Sequence, residues 1–227
     1  MAKLTYYGHS TCALVTDDGT RLVIDPFFDD NPACHVAAAD VEADYVLVSH
    51  GHGDHFSDCI PIARRTGATV ISSFEVVSFC RENGVKNGHG MNVGGGYDFP
   101  FGRVKLTPAV HTGSVAGDQQ GAHASGCTGF LIEFNGKRVY YAGDTALTMD
   151  LTLLKGQVDI ALLPIGDNFT MGPDDAVRAV EMIEPKVIIP IHYNTWPVIA
   201  QDPQVFKAKV GDRAVVEVLE SGSSYEF

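Results

Sequence analysis

No apolar run in this chain approaches the roughly 18 residues needed to cross a bilayer, so no membrane-spanning helix is expected. Basic residues are scarce. The 16 Lys and Arg stand against 28 Asp and Glu, a formal net charge of −12. No basic stripe is present, so nucleic acid is not an expected partner. The five cysteines, Cys12, Cys34, Cys59, Cys80 and Cys127, are odd in number and form no C-x-x-C pair. Neither a disulfide framework nor a thiolate zinc site is expected, and reduced thiols fit a cytoplasmic protein. The N-terminus enters strand-like sequence directly, so no signal peptide is expected there. No linker or low-complexity segment interrupts the chain. The acidity fits ordinary solubility, and carboxylates that bind cations would account for part of it.

Of the 227 residues, 45% are hydrophobic, enough for a full core, and one domain spanning 1–227 is the simplest organisation. Residues 4–9, 11–16 and 21–25 read as short strands, with Asp17-Asp18-Gly19 as a turn. Residues 45–49 are a continuous apolar run, as in a strand buried on both faces. Residues 57–65 and 75–83 read as helices around a strand at 68–72, with Gly84 in place to cap the second. The glycine-rich stretch 87–96 has no G-K-[ST] ending and reads as turns between strands. Strands follow at 103–111, 129–134 and 138–142, the last two joined by an Asn135-Gly136 hairpin turn. Apolar strands at 158–165 and 186–192 flank an amphipathic helix at 173–184, and 214–219 is a last strand. The fold class is α/β, mixed sheets with flanking helices.

The strongest chemical signal is His50-Gly51-His52-Gly53-Asp54-His55, directly after the buried strand. Imidazole and carboxylate are good zinc and manganese ligands, and the glycines let the loop fold back on itself. One loop cannot direct enough ligands at a single point. Three further candidates close apolar strands: His111, Asp144 and His192, and strand ends are where open α/β sheets carry active-site residues. Asp25 ends a buried-looking strand before Pro26. A buried carboxylate needs donors, so Asp25 is expected to accept hydrogen bonds from the 50–55 segment and not to bind metal. His9 has two level readings, contact with substrate or a metal-bound water, or a bond within its own turn. His123 reads as an exposed residue of the 113–126 loop.

In this order, Asp25, the His50 to His55 loop, His111, Asp144 and His192 resemble the metallo-β-lactamase superfamily over essentially the whole chain. The resemblance implies an αββα four-layer sandwich of two similar halves. Tyr7-Gly8-His9-Ser10, Phe169-Thr170-Met171-Gly172-Pro173 and Ile191-His192-Tyr193-Asn194-Thr195 resemble a branch known only as metal-dependent hydrolases, related to the L-ascorbate 6-phosphate lactonases. It further implies that His50, His52 and His111 hold a first metal, that Asp54, His55 and His192 hold a second, and that Asp144 bridges them. Asn194 joins His9 and Asp25 as a residue supporting the ligands or touching substrate. Asp167 stands where the branch is expected to carry glycine, and reads as a surface residue or a modifier of metal or substrate preference.

Hydrolysis is the expected function, with two divalent cations, Zn2+ or Mn2+, activating a bridging water. Asp54 is the expected catalytic residue, holding the attacking hydroxide in line. The substrate is expected to be a small ester, lactone or phosphoester, and an anionic one, since its charge would face the cations. A di-iron redox protein is an alternative, but such relatives typically carry Glu where His52 stands. A binding module without catalysis, and a phosphodiesterase or nuclease on the same fold, are further alternatives. Whether copies of the chain associate is left open.

Overall fold

The structure is a computed structural model describing residues 1–227. Fourteen strands run in chain order. They are β1 (Lys3–Tyr6), β2 (Cys12–Val15), β3 (Arg21–Ile24), β4 (Tyr45–Leu47), β5 (Thr69–Ser73), β6 (Gly88–Met91) and β7 (Gly96–Phe99), then β8 (Gly102–Pro108), β9 (Thr128–Phe134), β10 (Lys137–Tyr141), β11 (Ile160–Pro164), β12 (Val187–Ile191), β13 (Val215–Val216) and β14 (Ser224–Glu226). They form two seven-stranded sheets, ordered β14-β1-β2-β3-β4-β5-β6 and β13-β12-β11-β10-β9-β8-β7. Each sheet has three antiparallel pairings at one end and three parallel ones at the other. The chain is therefore built of two similar halves, and residues 92–95 carry it from one sheet to the other.

Side chains alternate across each strand, which sorts the apolar residues into layers. In β3, Leu22 and Ile24 enter a core shared by both sheets, while Val23 faces the other way. Leu106, Phe130, Leu162 and Ile189 meet them there from the second sheet. Val23, Val46 and Val70 pack instead against α2 (Cys59–Thr66) and α3 (Phe74–Glu82), which follow the one-turn α1 (Gly53–Phe56). Ala161, Leu163 and Ile188 pack against α4 (Pro173–Ile183) and α5 (Pro203–Val210). Helices, sheet, sheet and helices make the expected αββα sandwich. Truncating a central residue such as Leu47 to alanine costs about 2–5 kcal/mol in a core of this kind. No helix is long and apolar enough to cross a membrane.

Several local expectations are corrected. The strand expected over 103–111 stops at Pro108, opposite Thr128. Beyond it the Val110 N–H turns to Thr145 Oγ1 (3.0 Å), so His111 sits in a loop three residues past the strand. The histidine-rich loop becomes helical at Gly53. Helix α5 and strand β14 lie in segments with no expected element. Gly84 takes φ +85°, and the Val85 N–H bonds Cys80 O (3.0 Å), closing the end of α3.

Direction is what positions the site. β1, β3 and β4 run the same way in the first sheet, as do β8, β10 and β12 in the second. Their C-terminal ends meet at one edge of the sandwich. Residues following these ends include His9, Asp25, His50, His111, Asp144 and His192.

Candidate metal centre

Three of these residues leave their strands in the left-handed region: Asp25 (φ 47°), His9 (φ 56°) and His192 (φ 55°). Such a conformation costs on the order of 1–3 kcal/mol for a non-glycine residue, and Asp and His tolerate it better than most. It turns the chain sharply at the strand end. The turns are tied across the two sheets: the His192 N–H donates to His9 O (2.7 Å), and the Thr128 N–H to Ser49 O (3.0 Å).

Gly51 and Gly53 have distinct uses. A Cβ on Gly51 would lie 2.6 Å from Val115 Cα, so only glycine lets the 112–126 loop rest on the histidine loop. The Ala116 N–H bonds Gly51 O (2.7 Å) there. Gly53 opens α1, whose single turn carries Asp54 and His55.

Two groups of ligand atoms result, each with all atoms within 4.8 Å of one another: His50, His52 and His111, and His9, Asp54, His55 and His192. Asp144 lies against both. Its Oδ2 is 3.1 Å from His192 Nε2, 3.3 Å from His55 Nε2 and 3.7 Å from His111 Nε2. His9, His50, His55, Asp144 and His192 are buried, whereas His52, His111 and Asp54 are half-buried. All seven residues expected as ligands thus come together, and His9 stands beside them.

Asp25 is fully buried and also belongs to a group with His50 and His55. Its Oδ1 accepts the Ser49 N–H (2.6 Å). Its Oδ2 accepts Ser49 Oγ (2.5 Å), His55 Nδ1 (2.7 Å) and a share of the Tyr141 hydroxyl (2.7 Å), which also reaches Ser10 O (2.9 Å). These bonds assign tautomers. His55 carries its proton on Nδ1 and turns Nε2 toward Asp144. Ser49 gives its only proton to Asp25, so it accepts from His50 Nδ1 (3.0 Å), which frees His50 Nε2 beside His52 Nδ1 (2.9 Å).

His9 is locked just as firmly. Asp54 Oδ2 accepts from its Nε2 (3.1 Å), so Nδ1 must accept the Thr195 hydroxyl (2.7 Å). The His9 ring packs 4.1 Å from His192 and 4.8 Å from Trp196, centroid to centroid. Burial pushes this imidazole down to about 4, against the pull of Asp54, so it is neutral. Burial works against charge on His55, but the Asp144 and Asp25 carboxylates outweigh it and raise its pKa, which favours a second proton on Nε2 that a bound cation would displace. Burial alone would raise the Asp144 carboxyl, yet His55 and His192 bring it well below the usual range.

The donor set fits divalent cations. His55 Nε2 and Asp144 Oδ1 are buried with no hydrogen-bond partner, and the short His55–Asp144 approach is not aligned as a hydrogen bond. An unpaired buried polar atom costs about 1–3 kcal/mol. Convergent nitrogen and oxygen atoms in this state are what a cation satisfies.

Other candidates fall outside the cluster. Asn194 is exposed, and its Oδ1 accepts the Gln201 N–H (2.8 Å) within its own loop. His123, expected to be exposed, is half-buried between Glu82 of α3 and Asp118, 3.2 Å from each. Asp167 is exposed and accepts the Asn168 N–H (2.8 Å). Ser49, Tyr141, Thr195 and Trp196 were not among the expected site residues. Ser49 and Tyr141 flank strand ends that lead to ligands, and Thr195 closes the Ile191–Thr195 motif, whereas Trp196 has no sequence pattern to mark it.

The β-lactamase superfamily domain matches residues 3–192. The chain belongs to the metallo-β-lactamase superfamily. It is 53% identical to a UPF0173 metal-dependent hydrolase of Heliobacterium modesticaldum, covering 97% of this chain and 92% of the relative. A protein of the same description from Pelotomaculum thermopropionicum is 44% identical, covering 99% and 100%. Among solved structures, Igni18, a novel metallo hydrolase from the hyperthermophilic archaeon Ignicoccus hospitalis, is similar with a TM-score of 0.89 and 35% identity, covering 100% and 99%.

Proposed function

We propose that this chain is a metal-dependent hydrolase that holds two divalent cations, zinc or manganese, and cleaves a small ester, lactone or phosphoester. The observation that carries this reading is the pair of ligand groups with Asp144 against both. His50, His52 and His111 would hold one cation, Asp54, His55 and His192 the other, and Asp144 both. The names of the relatives, metal-dependent hydrolase and metallo hydrolase, support the class of chemistry. When bound, such cations polarise an ester or phosphoryl oxygen and lower the pKa of water.

The protein's own groups do the rest. Asp54 is the ligand carboxylate that opens on the cavity, its side chain 25% exposed against 3% for Asp144. It is the acceptor available to orient an attacking water. His9 holds Asp54 Oδ2 and is held in turn by Thr195, so one edge of that carboxylate is fixed and the other is free for water. Asp25 keeps the His55 ring turned with Nε2 inward. The acidic surface disfavours long nucleic acids, so a small substrate is the better fit.

Elemental analysis of gently purified protein tests the reading, together with a turnover screen over esters, lactones and phosphoesters. The expected result is close to two metal equivalents per chain and hydrolysis that depends on them. A tight single site that never gains a second ion on titration would overturn the binuclear assignment.

A further inference from the structure

The edge that carries the metal ligands is devoid of fixed positive charge. Residues 4–20, 22–63, 106–136, 139–154, 156–177 and 187–206 contain no lysine or arginine. These segments supply every ligand and every residue lining the cavity over the site. Lys137, Arg138 and Lys186 instead gather at the opposite end, where β10 and β12 begin. Sites that recognise phosphate usually place Arg or Lys on its free oxygens. Here a phosphomonoester dianion would meet only the cations, whose charge is already largely offset by Asp25, Asp54 and Asp144.

What the cavity offers is apolar. It encloses about 720 Å³ and is walled on one side by Phe27, Phe169, Trp196 and Val198. Phe169 and Val198 are 50% and 54% exposed, so much of this apolar surface faces water. Phe27 and Trp196 pack on each other and on His9, which fixes the wall to the ligand group that holds Asp54. Uncharged apolar substituents gain from such a wall, and phosphates do not.

We propose that the substrate is an uncharged ester or lactone carrying an alkyl or aryl group, received by Phe27, Trp196, Phe169 and Val198. This rests on the hydrolase reading above and narrows its substrate, setting aside phosphomonoesters and the anionic substrate expected from the sequence. In the reaction the acyl C–O bond breaks. Water gives its hydroxyl to the acyl carbon and its proton to the leaving oxygen, so an ester yields an alcohol and a carboxylic acid and a lactone opens to a single hydroxy acid.

The test compares γ-nonalactone, γ-valerolactone and phenyl phosphate as substrates of the metal-loaded protein. The two lactones differ by four methylenes. A fully buried methylene is worth about fourfold in affinity, and in a half-open cleft four together should raise kcat/KM about tenfold. Trp196→Ala should shrink that ratio to about two. Phe169→Ala, at a side chain outside the ligand groups, should shrink it about threefold without loss of metal. Binding is read separately, because Trp196 is the chain's single tryptophan. The non-hydrolysable lactam 5-pentyl-2-pyrrolidinone should change its emission saturably and bind at least tenfold more tightly than phenyl phosphate. Faster turnover or tighter binding of phenyl phosphate would overturn the proposal, as would rates and binding indifferent to chain length. If nothing is hydrolysed but the lactam still binds preferentially, the hydrolase reading fails and the apolar substrate site stands.

Discussion

Asp25→Asn separates charge from shape at the centre of the ligand-supporting network. Asn tolerates the left-handed backbone at this position as Asp does, so conformation is not a confounding effect. The change replaces one acceptor oxygen with an NH2 group. If that group faces Ser49 N, the buried Ser49 N–H loses its 2.6 Å partner. If it faces the other way, it opposes Ser49 Oγ, His55 Nδ1 and Tyr141 Oη together. The first arrangement is cheaper, because the new NH2 then opposes only the Ser49 N–H and one buried hydrogen bond is lost, about 1–3 kcal/mol. The bond to His55 also loses its charge, which weakens the ligand's grip on metal by roughly ten- to a hundredfold. Urea denaturation of the metal-free variant should therefore give a stability loss of about 1–3 kcal/mol with an unchanged m-value. Competition against a chromophoric chelator should give the affinity loss. A variant that binds metal within twofold of the parent, at unchanged stability, would refute the role assigned to Asp25.

Four other outcomes are expected. Chelation should lower Tm by about 5–10 °C for each site that was filled at 100-fold over its Kd, read by calorimetry with and without added metal. Gly51→Ala would push its Cβ to 2.6 Å from Val115 Cα, so the loop carrying His111 must shift. Titration should then show the His50–His52–His111 site weakened at least tenfold while the other site holds. Gly166→Ala would bring a Cβ to 2.2 Å from His192 O, and overpacking there should cost about 1–3 kcal/mol and loosen the second site instead. Thr195→Val removes the donor to His9 Nδ1 and should lower kcat several-fold with metal content unchanged, measured by steady-state kinetics beside elemental analysis.

Much of this architecture is readable from residue order, for identifiable reasons. Strands β3, β4 and β12 are apolar on consecutive positions because both faces are buried, and polar ligands mark where they stop. Asp25 is recognisable because a carboxylate at such a strand end needs donors. Other features lack a local signal. Helix α5 buries only Phe206 and Val210, too sparse a stripe to reveal its period. β14 is three residues long and depends on pairing with β1. The path from Pro108 to His111 is set by a contact with Thr145, distant in sequence. Phe27, Phe169 and Trp196 are lone aromatics in loops, and only the folded chain makes them one wall.

The pairing of β14 with β1 bears on how the protein is made. Leu4 lies opposite Tyr225, and Ala2 and Phe227 exchange backbone bonds of 3.0 and 3.1 Å. At about 5–20 residues per second on the ribosome, roughly ten to forty seconds separate the synthesis of these partners. Through that interval one edge of β1 is open to wrong pairing, and a chaperone or a quick start on the β1–β2 hairpin would be the protection. His9 lies three residues past the end of β1. It is made well before Asp54 and Thr195, the two side chains that hold its ring.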